Sequence, residues 1–127
     1  MQEQHLYEYA IIRVVPRVER EEFINVGVVI CHWKRDFLGC KIQLDPNKLL
    51  MLDPKADVEM IQLNLASFEK ICAGTANGGN IATMDLASRF RWLTAVRSSI
   101  IQTSRPHSGY AEDLEKTLQK LFNENIA

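Results

Sequence analysis

Phe23-Ile24-Asn25-Val26-Gly27-Val28-Val29-Ile30-Cys31-His32-Trp33 reads as an extended strand with apolar residues at both parities. Ile24, Val26, Val28 and Ile30 alternate onto one face. Phe23, Val29, Cys31 and Trp33 lie on the other, with Asn25 and Gly27. A strand that is apolar on both sides belongs in the middle of a sheet, covered on one face and partly on the other. Gly27 inside the run marks a bulge or a close backbone approach.

Upstream, Leu6 to Val15 is rich in Tyr, Ile and Val and reads as another strand, ended by Pro16. The charged segment Arg17 to Glu22 is a loop joining the two. Downstream, Lys34-Arg35-Asp36 makes a polar hairpin turn into a third strand from Phe37 to Leu44, with Leu38, Cys40, Ile42 and Leu44 facing inward. Asp45-Pro46 then starts a short helix, with Asp as cap and Pro at the first helical position, and Asp53-Pro54 stops it.

Val58, Ile61, Leu65, Phe68 and Cys72 recur at steps of three and four, the stripe of a helix capped by Asp57 and closed by Gly74. Gly74 to Thr83 is a loop. A helix is expected from Met84 to Ala95, a strand from Ser98 to Ser104, a turn around Pro106 from Arg105 to Gly109, and a last helix from Ala111 to Asn123. The order is β-β-β-α-α-α-β-α. It predicts an α+β fold, with a mainly antiparallel four-stranded sheet and helices packed on one face. Residues 1–127 form a single domain.

Composition bounds the function. The chain has 127 residues, of which 46% are hydrophobic and 24% charged. A chain of this size buries roughly two thirds of its unfolded surface and needs no disulfide or metal to fold. A formal net charge of −1 supplies no global field for nucleic acid or anionic lipid. No apolar run approaches the roughly 20 residues of a bilayer span, and the polar start lacks a signal-peptide order. The protein is expected to be cytoplasmic, without a membrane or nucleic-acid partner. Cys31, Cys40 and Cys72 are odd in number and form no CxxC pair, which predicts reduced, buried thiols. His5, His32 and His107 are dispersed, and Cys31 and His32 point to opposite faces of one strand, so neither a metal nor a cofactor is expected.

The informative chemistry lies between Thr83 and Gly109. Four of the eight arginines fall there, Arg89, Arg91, Arg97 and Arg105, with Asp85 as the only acid. The guanidinium fork pairs bidentately with phosphate or carboxylate. The glycine-rich loop before the Arg89 helix adds free N–H groups at a helix start. Together they suggest a pocket for a phosphate- or carboxylate-bearing ligand. The competing reading is that the arginines pair with acids elsewhere and the glycines only make a turn. Arg13, set between Ile12 and Val14, needs a partner or an exit to water: it lies either on a half-exposed sheet face beside a loop or in the same pocket as Asn25 and Arg97. Gln102 and His107 complete the candidate set. No Lys-Ser/Thr loop ending, GxSxG or HExxH is present. Ser98 or Ser99 with His107 could form a nucleophile and base, but nothing in the spacing requires it.

Tyr7 to Pro16, Arg20 to Val28, and Arg89-Phe90-Arg91-Trp92-Leu93-Thr94 with Arg97-Ser98, Gln102-Thr103-Ser104, His107 and Gly109 together resemble a bacterial family. That family is catalogued as the domain of unknown function numbered three thousand and thirty-seven, and the resemblance covers nearly the whole chain. Asn80 and Val96 stand where the family pattern suggests prolines. The resemblance implies a compact bacterial protein with no assigned activity, and suggests a HipA-like kinase as a partner that it would regulate in the manner of an antitoxin. A non-enzymatic accessory or binding protein acting through protein contacts is therefore the expected function. The alternative is an enzyme or binder acting on a phosphorylated small molecule or nucleic acid.

Overall fold

The structure, a computed structural model, describes residues 4–32, 34 and 37–126. Strands β1 (His5–Val14), β2 (Ile24–His32) and β3 (Phe37–Ile42) form the antiparallel meander, with Ala10 opposite Val29 and Val29 opposite Cys40. Trp33 and the Arg35-Asp36 part of the hairpin turn lie outside the described residues. β4 (Ile101–Thr103) pairs antiparallel with the far side of β1, giving the order β3-β2-β1-β4.

The fold class is α+β with an antiparallel sheet, but a fifth strand occupies most of the expected turn. β5 (His107–Ala111) continues along β1, with His107 opposite Tyr9 and Ala111 opposite His5. Between Thr103, opposite Ile12, and His107, three residues face only Ala10 and Ile11 on β1. This is a one-residue bulge. The Ser104 hydroxyl accepts the Ile11 N–H at 2.8 Å, and the Ser104 N–H donates to the Ile11 carbonyl at 2.8 Å. Pro106 falls inside the bulge, where its missing N–H interrupts pairing without ending it.

A second bulge lies in β2. Gly27 pairs with Ile12, but Asn25 pairs with Arg13, leaving Val26 as the extra residue. The bulge splits the alternating set Ile24, Val26, Val28 and Ile30. Val26 and Ile24 join Val29 and Cys31 in the main core, while Val28 faces the other side with Ile11. Gly27 also makes the close approach its sequence position suggested. A Cβ there would lie 2.5 Å from the Lys41 carbonyl oxygen.

Helices α1 (Pro46–Leu52), α2 (Val58–Ala73), α3 (Leu86–Thr94) and α4 (Leu114–Asn125) each follow an aspartate cap: Asp45, Asp57, Asp85 and Asp113. The caps explain why α3 and α4 begin a few residues after the expected starts. α2 and α3 bring Ile61, Leu65, Phe68, Phe90 and Leu93 onto the face of Ala10, Ile12 and Val14. α4 lies on the opposite face, where Phe122 is buried with Ile11 and Val28. Helices thus cover both faces rather than one, because β1 and β2 are apolar at both parities and each apolar face must be shielded from water.

Cys31 and Cys72 are buried and Cys40 half-buried, all as free thiols. Burial pushes the Cys31 thiol up to about 12. The Cys72 thiol is raised by its hydrogen bond with Cys40 and then by burial. Among the described residues no helix is long and apolar enough to cross a membrane.

Candidate functional site

Arg13 stands at the bulged end of β1, opposite Asn25 on β2 and Gln102 on β4. Directly opposite residues share a face, so these three polar side chains sit side by side, beyond the apolar patch that α4 covers. Without the β2 bulge, Val26 would occupy the place of Asn25. The half-buried Arg13 lays its guanidinium 4.2 Å from the centroid of the Phe23 ring. Its Nε is buried and has no hydrogen-bond partner among the described residues. Gln102 donates to the Ser99 carbonyl at 2.8 Å. A cleft of about 630 Å³ opens here, and its lining includes Arg13, Glu21, Phe23, Arg97, Ser98 and Gln102.

Arg97 reaches this cleft from the segment that follows α3. Its guanidinium lies 4.2 Å from the Trp92 ring centroid and donates to the Trp92 and Ala95 carbonyls. These oxygens end α3, where a cation complements the helix dipole. Arg97 also lines a second cavity, of about 280 Å³, floored by Phe68, Ile71, Leu93 and Ile101.

The other candidates go elsewhere. Asn25 is exposed beside Arg13 but lines a different recess, with Gln43, Asp45 and Lys48. Arg89 donates to the carbonyls of Ile71 (3.1 Å), Cys72 (2.8 Å) and Met84 (3.0 Å). It closes the C-terminus of α2 and is unavailable to a ligand. Arg91 is exposed and donates to the Ser88 hydroxyl at 3.4 Å. His107 is exposed on β5, its ring 5.5 Å from that of Tyr9, farther along the sheet. The glycine-rich loop folds into two 3-10 turns, Ala76–Gly78 and Ile81–Thr83. At the start of α3 the Asp85 carboxylate already takes the Ser88 N–H at 2.7 Å, and this bond holds its carboxyl below the usual range. That end of the helix therefore carries its own anion.

Sequence reasoning placed Arg13, Arg97 and Gln102 in one site but missed Phe23 and Trp92 as their stacking platforms. Trp92 lies five residues from Arg97 along the chain and had a core role open to it, whereas Phe23 meets Arg13 only through the pairing of β1 with β2. Glu21 was also missed. It ends a short 3-10 turn with φ of 57°, a left-handed conformation that carries the loop back toward β2.

A family model described as "Protein of unknown function (DUF3037)" matches residues 9–126. No curated protein and no solved structure matches the chain. Because the match spans nearly all of the sequence, including Arg13, Asn25, Arg97 and Gln102, the chain belongs to the DUF3037 family of proteins of unknown function.

Proposed function

We propose that this is a non-enzymatic binding protein whose Arg13 cleft holds a phosphate or carboxylate group presented by a protein partner. The observation that supports this reading is Arg13 Nε, buried and without a hydrogen-bond partner among the described residues. An unsatisfied buried donor costs free energy in the unliganded protein, and an oxyanion acceptor recovers it. Phe23 holds one face of the guanidinium, leaving its N–H edge for the ligand. Phe23 is 44% exposed and Val96 98% exposed, so apolar surface flanks the charged site, as at a protein contact. Glu21 opposes any anion near it, so the reading rests on the Arg13 side of the cleft.

The test compares tagged wild-type and Arg13→Gln proteins as baits in host lysate and in co-expression with a HipA-like kinase, with calorimetric titration of inorganic phosphate, acetate and nucleotides alongside. The expected result is one stoichiometric protein partner on the wild type, lost from Arg13→Gln while circular dichroism is unchanged. A partner that Arg13→Gln retains equally would overturn the site. Absence of a protein partner together with Arg13-dependent binding of nucleotide or nucleic acid would overturn the protein-contact reading in favour of the phosphorylated-ligand alternative.

A further inference from the structure

We infer that the second cavity, enclosed by α2, α3 and the approach to β4, is a binding site for a small aromatic or branched-chain carboxylate, distinct from the Arg13 cleft. Its floor is apolar: Phe68, Ile71 and Leu93 are buried core residues, and Ile101 packs against them. Its mouth carries Trp92, 38% exposed, with the Arg97 guanidinium stacked on the indole. Among the described residues the lining contains one cation and no acid, and its other polar members are neutral side chains such as Ser67. An arginine keeps its charge at any physiological pH. Hydrogen bonds to main-chain carbonyls and a π face hold the Arg97 group in place without cancelling that charge. A ligand that satisfies both parts of the cavity therefore has an apolar body for the floor and an anionic end for the guanidinium.

The size narrows the class. About 280 Å³ lies just under the roughly 300–1,000 Å³ of drug-sized sites, which suits one ring or branched chain with a short acid arm. Inorganic phosphate would leave the apolar floor unfilled, and a neutral hydrocarbon would leave the cation without a counter-charge. The ligand is a free small molecule: the cavity holds little beyond the side-chain-sized body itself.

The test is calorimetric titration of the full chain with phenylacetate, 4-methylpentanoate, benzyl alcohol, inorganic phosphate and an acetylated tripeptide ending in phenylalanine. At least one of the two acids is expected to bind tenfold or more tightly than benzyl alcohol or phosphate. Ser67→Phe, which fills the cavity from the exposed side of α2, should weaken that acid at least tenfold, as should Arg97→Gln, whereas Arg13→Gln should leave it unchanged. Ser67→Leu serves the same purpose should the larger ring disturb folding by circular dichroism. No heat with either acid, equal binding of benzyl alcohol, or indifference to both Ser67 variants would overturn the site. Tighter binding of the tripeptide would overturn the assignment to a free small molecule. Arg13-dependent phosphate binding with no acid binding would refute this inference and leave the cleft reading standing.

Discussion

The Ser104 hydroxyl accepts the Ile11 N–H at 2.8 Å and lies 3.1 Å from the Arg105 carbonyl, which accepts its proton. Ser104 is buried, so no water can replace it. Ser104→Ala leaves the Ile11 donor unsatisfied and should destabilise the fold by about 1–3 kcal/mol, read as a lower urea midpoint at unchanged slope. A midpoint equal to wild type would mean that the bulge finds another acceptor. Arginines of one chemistry diverge just as sharply. Arg89 meets three carbonyls, while Arg13 keeps an Nε with no partner among the described residues. Both sit in apolar stretches, and the local sequence gives no means of telling a capping arginine from one facing a cleft.

α2 ends where its sequence says it should. Gly74 adopts φ of 72° and donates to the Lys70 and Ile71 carbonyls. A further contact comes from α3: Arg89 donates to the Ile71 and Cys72 carbonyls and lies so close that a Cβ on Gly74 would be 2.8 Å from its Nη1. The left-handed backbone angle of Gly74 favours glycine at this position, and a Cβ there would also push on the Arg89 guanidinium. Arg89→Met should lower stability by about 1.5–3 kcal/mol in urea titration, the range for bonds to a charged group. It should leave ligand titrations of either cavity unaltered, since Arg89 lines neither. A binding loss in a folded Arg89→Met protein would return this residue to the functional site. A single inserted residue in β2, Val26, changes which side chains share a face and brings Asn25 rather than a valine beside Arg13. Gly27 hinted at the bulge, but its register follows from pairing with β1 and could not be counted from β2 alone.

With helices on both faces, the sheet encloses Cys31 completely, and the molecule as a whole should be alkali-sensitive for that reason. The thiol has an ordinary value of 9.0 and is pushed up to about 12 by burial. Below pH 9 the folded and unfolded chains are both protonated there, so Cys31 has no effect on stability. Between 9 and 12 only the unfolded chain loses the proton, so stability falls as pH rises. Cys72 adds to the loss in the same direction. Urea midpoints from pH 7 to 10.5 should fall more steeply for wild type than for Cys31→Ala, which lacks the titrating group although its cavity lowers stability throughout. Parallel curves would show that the thiol ionises in the folded protein. The sequence by itself determined the meander, the presence of all four helices, the aspartate caps of α1 and α2, and the glycine stop of α2. Each depends on residue period and on groups within a few positions. It also marked Arg13, Arg97 and Gln102. Only the tertiary structure decided that Pro106 interrupts a strand instead of ending it, that α4 takes the second face, and that Arg89 caps a helix. Those outcomes depend on which strand runs alongside and which carbonyls lie within reach, and residues distant along the chain supply both.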